Sequence, residues 1–298
     1  MLFSSTDPKE KRKAFKKALN SGKLQRFPGS FSPLVSLLIE KKGFEGIYIS
    51  GAVISSYLGL PDVGLTSMTE VMSFARSASR VSSLPSIVDI DTGFGESLNV
   101  VRSIQECEEM GLAGCHLEDQ VNPKRCGHLD HKNLVSTEEM VRKVQAAVKA
   151  KRDENFLLIA RTDARASEGL DGMIRRAKAY VDAGAEMIFP EALQNEKEFE
   201  QVRKEISVPL LANMTEFGKS KLLNRQILEN LGFNVVIYPV TTWRIAMGAV
   251  EKGLERIDEE GDQSSLLDDM QSRKELYELL QYERYNEFDK GIYNFKID

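Results

Sequence analysis

Cysteine is scarce in this chain. Among 298 residues there are three, Cys107, Cys115 and Cys126, and no two are spaced as a CxxC pair. That excludes a disulfide framework and leaves no thiol pair of the kind structural zinc sites use. Long apolar runs are missing too: nothing approaches the roughly 20 residues that a membrane span needs. The opening residues, MLFSSTDPKEKRKAFKKAL, lack the apolar stretch and cleavage site of a secretory signal. Basic charge is not in excess. Forty Lys and Arg stand against 45 Asp and Glu, a net charge of −5. A general nucleic-acid binder usually carries a basic field, so that class is disfavoured, although a local basic pocket for an anion is not. The expectation is a reduced, cytoplasmic protein with no membrane or nucleic-acid partner. A phosphate loop is also absent. The glycines of DTGFGES (91–97) lead to neither GK[ST] nor a full GxGxxG, and suit a tight turn from strand to helix.

What the chain does have is alternation. Short apolar runs at 45–51, 86–95, 114–120, 156–163, 186–192, 209–218 and 234–244 are separated by helical patterns at 69–82, 97–110, 136–150, 170–183 and 196–205. A segment near 27–31 supplies an eighth strand. Ser136 and Glu139 have the spacing of a capping box. Such alternation signals parallel β/α units. Each strand starts apolar and ends polar: IVDID, CHLED, IARTD, IFPEA, LLANMT, VIYPVTT. In a closed barrel the C-terminal strand ends form the mouth where chemistry sits, whereas a doubly wound sheet concentrates function at one switch point. Polar tips on nearly every strand therefore predict one (β/α)₈ barrel domain over 1–298. A C-terminal helical extension covers about 262–298. Within it, the stretch 273–291 carries an apolar stripe of Leu276, Tyr277, Leu279 and Leu280, which must pack either on its own barrel or on a second subunit.

Two strand tips carry matching acids. Asp89 and Asp91 are two apart, as are His116 and Glu118, so each pair points to one side. Cys115 and Leu117 then face the helices. Asp89, Asp91 and Glu118 at one mouth would repel one another unless a cation neutralised them. An oxygen-only set suits a hard cation, Mg²⁺ with Mn²⁺ as the alternative. His116 by itself reads as a satisfied core histidine. Arg161 could clamp a carboxylate in bidentate fashion. Glu191, Asn213 and Thr215 could orient further oxygens, and Arg244 and Arg273 could hold a distal carboxylate. Together these groups describe a site for a small anionic substrate.

The loop VNPKRCGHLDHK (121–132) places Cys126 among Lys124, Arg125, His128 and His131. Positive neighbours lower a thiol pKa, so Cys126 can serve as acid or nucleophile near neutral pH. Gly127 allows the backbone to approach a ligand, and the charged, unpatterned loop reads as a mobile lid.

KRCGH at 124–128, VDIDTGFG at 88–95, HLEDQ at 116–120, ARTDA at 160–164, FPEA at 189–192 and LANMTEFG at 211–218 resemble the 2-methylisocitrate lyases of the isocitrate lyase and phosphoenolpyruvate mutase superfamily. The likeness runs over nearly the whole chain. KRCGH is its specific part, since KKCGH is more often found in isocitrate lyases and the mutase branch lacks this cysteine loop. The resemblance implies a small polycarboxylate as substrate, 2-methylisocitrate, cleaved to pyruvate and succinate in propionate breakdown by the methylcitrate cycle. It implies Mg²⁺ at Asp89 and Asp91, with Glu118 and Asp62 nearby. Substrate contacts are implied from Ser50, Gly51, Ala52, Cys126, Gly127, Arg161, Glu191, Asn213, Thr215, Arg244 and Arg273, with Lys124 and Arg125 beside them in the cysteine loop. A homotetramer exchanging C-terminal helices is implied as well. Some relatives read SGG where this chain reads Ser50-Gly51-Ala52. In the expected mechanism Tyr48, on the second strand, takes the hydroxyl proton, and Cys126, tuned by His128 and Arg125, protonates the departing half. Isocitrate cleavage and a catalytically silent barrel are the competing readings.

Overall fold

The computed structural model describes residues 6–125, 127 and 132–292. Helix α1 (Pro8–Leu19) opens the chain, capped by the Asp7 side chain, which accepts the Lys9 N–H at 2.7 Å. Eight β/α units follow: β1 (Gln25–Pro28) and α2 (Pro33–Lys41); β2 (Ile47–Ile49) with α3 (Gly51–Tyr57) and α4 (Met68–Ser79); β3 (Ser86–Asp89) and α5 (Ser97–Glu109); β4 (Gly114–Glu118) and α6 (Thr137–Ala150); β5 (Leu157–Thr162) and α7 (Arg165–Asp182); β6 (Met187–Pro190) and α8 (Glu196–Glu205); β7 (Leu211–Asn213) and α9 (Arg225–Asn230); β8 (Val235–Tyr238) and α10 (Thr241–Glu260). A 3₁₀ turn (Ser264–Asp269) leads to α11 (Arg273–Leu279) and α12 (Tyr282–Ile292).

All strand pairs are parallel. Strands β2 to β6 form one arc and β7–β8–β1 the other. Parallel bridges Gly29–Tyr48 and Ile188–Leu210 join the arcs, which closes the barrel. Alternation along each strand separates two cores, as the two-residue period requires. Outward residues such as Val88, Cys115, Leu117, Leu158, Ala160, Ile188 and Val236 pack under the helices. Inward residues Ile87, Leu157, Ile159, Met187, Phe189, Leu211, Val235 and Ile237 fill the barrel, and Phe15 and Leu19 of α1 join them. Moving up the same inward register, Ile87 gives way to Asp89, Ile159 to Arg161, Phe189 to Glu191 and Leu211 to Asn213. The polar mouth is thus the upper layer of the apolar barrel interior.

The expected capping box is present: Ser136 Oγ accepts the Glu139 N–H at 3.1 Å and Glu139 accepts the Ser136 N–H at 2.8 Å. Some boundaries move. The first strand lies at Gln25–Pro28, before the expected segment. Helix α7 starts at Arg165, and a break at Gly169 (φ 71°) separates its first turn from the periodic stretch. The expected helix over 273–291 is two helices, because Gln281 adopts φ 55° between them. Helix α10 buries none of its residues, and Ile245, Val250, Leu254 and Ile257 on it are exposed. Among the described residues no helix is long and apolar enough to cross a membrane.

Candidate functional site

The mouth holds a small cavity of about 90 Å³. Tyr48, Ser50, Ala52, Asp62, Asp89, Lys124, Gly127, Arg161, Glu191, Asn213, Thr215 and Arg244 line it, with Phe189, Ile237, Pro239 and Val240 as an apolar side. Most of the site residues expected from sequence therefore meet in one space. Arg125 does not: it is exposed and lines a groove outside the mouth, its N–H donating to Gln120 Oε1 at 2.9 Å. Arg273 opens α11, is exposed, and is not part of the cavity wall. Cys126, His128 and His131 lie outside the described residues.

The carboxylates gather at the tips of β3 and β4. Asp89 is 6% exposed; its Oδ1 accepts the Asp91 N–H at 3.0 Å and its Oδ2 the Gly51 N–H at 3.2 Å. Glycine is required at position 51, because a Cβ there would sit 2.9 Å from Asp89 Oδ2 and 3.3 Å from Asp91 Oδ1. Asp91 lies beyond the end of β3 and has φ 47°, so strand alternation does not place it. A left-handed turn brings it back beside Asp89. Lys124, 4% exposed, inserts its ammonium between Asp62 and Asp91, 3.0 Å from Asp91 Oδ1. The sequence places Lys124 in the cysteine loop beside the substrate, and the structure adds its pairing with these two acids.

Arg161 is also occupied by protein carboxylates. Its Nε and Nη2 donate to Asp163 Oδ2 and Oδ1 at 2.9 and 3.1 Å. Nε lies 3.2 Å from Glu118 and Nη2 3.3 Å from Glu191, while the guanidinium rests 5.0 Å above the Phe189 ring. Asn213 Nδ2 donates to Glu191 at 3.2 Å, and its Oδ1 accepts the Thr215 N–H at 3.1 Å. Arg244 donates to the Glu216 carbonyl at 2.6 Å. Gly127 lies directly on this network: a Cβ there would sit 2.3 Å from Arg161 Nη2 and 2.6 Å from Glu191 Cγ. Lys132 donates to the Gly127 carbonyl and reaches Asp163 Oδ1 at 3.0 Å.

His116 is fully buried, as a core histidine would be, but it is not inert. Its Nε2 is 2.6 Å from the Tyr48 hydroxyl and its Nδ1 3.6 Å from Asp89 Oδ1. Burial lowers its pKa to about 4, so at neutral pH the ring is uncharged. With Tyr48 donating, Nε2 accepts and Nδ1 carries its hydrogen toward Asp89. Burial, reinforced by the charge of Asp89, pushes the Tyr48 phenol well above its ordinary value.

The acids cannot all ionise freely. Burial raises Asp91 to about 6, the charge of Asp89 adds to that, and Lys124 opposes it. Burial would raise Asp89 too, but His116, Lys124 and Arg161 outweigh it and hold that carboxyl low. Glu118 is pushed well up, mainly by burial. Two like acids in one site, one raised and one lowered, share their protons as a unit.

The donor set fits a hard divalent cation. Glu118 Oε1 is buried with no hydrogen-bond donor, while Glu118 Oε2 and Asp91 Oδ1 face the Arg161 and Lys124 cations, so this set of oxygens keeps lone pairs for a metal or its waters. Among the described residues no three His, Cys, Asp or Glu side chains converge tightly enough to bind an ion alone. Mg²⁺ does not need that: it usually takes one or two carboxylates and completes its octahedron with water and substrate oxygens.

The family model described as phosphoenolpyruvate phosphomutase matches residues 15–258. The chain belongs to the phosphoenolpyruvate mutase/isocitrate lyase superfamily. Within that superfamily it is 55% identical to a probable 2-methylisocitrate lyase 2 of Corynebacterium glutamicum, over all of this chain and 97% of that protein. It is 43% identical to a 2-methylisocitrate lyase of Escherichia coli K12, over 92% of this chain and 94% of that one. The structure of an oxaloacetate acetylhydrolase superposes with a TM-score of 0.91 at 30% identity, covering 98% of this chain and all of that chain. The superfamily's (β/α)₈ barrel is the fold described above.

Proposed function

We propose that this enzyme is a Mg²⁺-dependent lyase that cleaves 2-methylisocitrate to pyruvate and succinate, the carbon–carbon cleavage step of propionate breakdown. One observation carries the reading: a single cavity joins Asp62 and Asp89 of the oxygen-only carboxylate cluster to Tyr48, Arg161, Glu191 and Asn213. The relatives named 2-methylisocitrate lyase, 40–57% identical to this chain, support the same substrate.

Asp89 and Asp91 would hold the metal, with Glu118 and Asp62 beside them. Mg²⁺, or Mn²⁺ in its place, supplies neutralisation of these acids and polarisation of the substrate's oxygens. The protein's own groups do the rest. Burial keeps the Tyr48 phenol protonated, so it takes the substrate's hydroxyl proton only as it passes its own to His116 Nε2, 2.6 Å away, with Asp89 beside Nδ1 to stabilise the imidazolium that forms. The hydroxyl electrons form the ketone of pyruvate as the carbon–carbon bond breaks. Charge then builds on the departing succinate half, where fixed donors stabilise it. Asn213 lines the cavity for that purpose, and Arg161 beside it holds a substrate carboxylate. Cys126 delivers the proton to the new carbanion. The apolar side formed by Phe189, Ile237, Pro239 and Val240 gives the extra methyl a dry surface. One methyl in such a pocket is worth about 1–3 kcal/mol, enough to separate this substrate from isocitrate by about 10–200-fold.

In this reading the enzyme works as a homotetramer in the cytoplasm. The support for assembly is α10, which buries no residue in the isolated chain while exposing Ile245, Val250, Leu254 and Ile257.

The test is to supply purified protein and Mg²⁺ with 2-methylisocitrate or isocitrate and follow the products by NMR. Pyruvate and succinate should form faster than glyoxylate and succinate. The reverse preference would make the enzyme an isocitrate lyase, and cleavage of neither would end the lyase reading.

A further inference from the structure

We propose that Asp119 and Tyr180 are positioning residues that aim the Arg161 guanidinium at the substrate carboxylate by holding Asp163. Asp119 follows Glu118 at the tip of β4 and is fully buried. Its neighbours show what it holds. Oδ1 accepts the Asp163 N–H at 2.9 Å. Oδ2 accepts the Tyr180 hydroxyl hydrogen at 2.8 Å and faces Arg176 Nη1 at 3.5 Å. Asp163 stands one residue past the end of β5, so the Asp119 carboxylate takes the N–H there.

The Asp163 side chain passes this constraint on. Arg161 Nε and Nη2 both donate to it, and Lys132 donates to the same Oδ1 as Nη2 at 3.0 Å. A planar guanidinium gripped at two nitrogens by one carboxylate has a fixed orientation. Among the described residues Nη1 of Arg161 takes no part in these contacts, and in this proposal it donates to the incoming carboxylate. A relay thus runs from α7, through Tyr180 and Asp119, to the mouth. Burying a carboxylate this deeply is costly unless each partner is in place, so removal of one should loosen the whole line.

A purely structural role is the competing explanation. Arg176 ties the relay to Glu168 at 2.7 Å across the α7 break at Gly169, which by itself would anchor the helix. The proposal rests on the reading that Arg161 binds a substrate carboxylate, and the experiment separates the two. Succinate binding in Mg²⁺ is measured by calorimetry for wild type, Arg161→Lys, Tyr180→Phe and the double variant, alongside KM, kcat and thermal midpoint. Tyr180→Phe keeps the ring and removes only the hydroxyl. It should weaken succinate binding and raise KM by about tenfold, with kcat changed less than about threefold, the pattern of lost binding without lost chemistry. In the Arg161→Lys background the same change should add nothing, since the two act in series. Asp119→Asn should follow Tyr180→Phe in the same direction. A lowered thermal midpoint with wild-type succinate affinity would make Tyr180 purely structural and overturn the proposal. Additive losses in the double variant would overturn it as well. Unaltered succinate binding in Arg161→Lys would instead remove the role given to Arg161, and the relay with it.

Discussion

The two arcs of the barrel share one apolar interior and end in different chemistry. Strands β2 to β6 terminate in Tyr48, Asp89, His116, Glu118, Arg161 and Glu191, nearly all ionisable and buried. Strands β7, β8 and β1 terminate in Asn213, Tyr238 and Pro28, and contribute neutral or apolar groups. Charge on the first arc is unbalanced. Asp62, Asp89, Asp91, Glu118, Asp163 and Glu191 outnumber Lys124, Lys132 and Arg161 there. Burial raises Glu118 and Asp91, which is how a protein carries such an excess with no added cation. The first arc therefore suits added positive charge, whereas the second gives the cavity Asn213, Ile237 and Pro239, with Arg244 of α10 as a cation beside them.

The strongest way to break this contrast is to remove the acid at its centre. Asp89→Ala takes away the acceptor of the Asp91 and Gly51 N–H groups together with the first carboxylate proposed to hold the metal. Turnover should fall by at least about a hundredfold, since metal stabilisation of developing charge is worth several kcal/mol. Wild type at a hundred times its metal Kd should gain about 2.7 kcal/mol of stability, visible as a raised thermal midpoint. The variant should show no such gain. A preserved Mg²⁺-dependent midpoint would move the metal elsewhere.

A smaller effect is expected where the described part of the cysteine loop meets the charged arc. Gly127→Ala would push a methyl into Arg161 Nη2 and Glu191. Side-chain displacements near 1 Å in a reacting site can cost about a hundredfold. We expect turnover to fall by about tenfold to a hundredfold, with Mg²⁺ affinity unchanged because Asp89 and Asp91 are not touched. Wild-type kinetics in this variant would show that the loop does not sit against Arg161 during turnover.

The legible parts of the sequence were those set by short-range periodicity. Apolar-to-polar strands mark both the barrel and its mouth, because inward residues two apart climb from core to solvent. Asp89, Glu118, Arg161 and Glu191 follow from that rule alone. Ser136 with Glu139 marks a helix start for an equally local reason. Long-range partners were not legible. Tyr48 meets His116 from 68 positions away and Lys124 meets Asp62 from 62. Asp163 is an intermediate case: its spacing of two from Arg161 at a strand end could have signalled the pair. The left-handed turn that recovers Asp91 and the α1 residues that join the barrel interior had no periodic signal to announce them.

The finest test of the contrast is titration of the charged arc itself. Asp91 in the metal-free fold has a pKa of about 6, above the ordinary value near 3.9. The folded state therefore holds this proton more tightly than the unfolded chain does. Its contribution to stability is fully present below about pH 3.9 and is lost as pH rises through about 6. Metal and proton compete for the same carboxylate, so metal binding below about pH 6 must release a proton. Apparent Mg²⁺ affinity, followed by calorimetry, should be flat above that pH and fall by up to about tenfold per unit below it. Asp91→Asn should bind more weakly and lose this part of the slope. An unchanged slope in that variant would assign the proton to Glu118, whose carboxyl is also raised by burial, and would shift the metal's main anchor from β3 to β4.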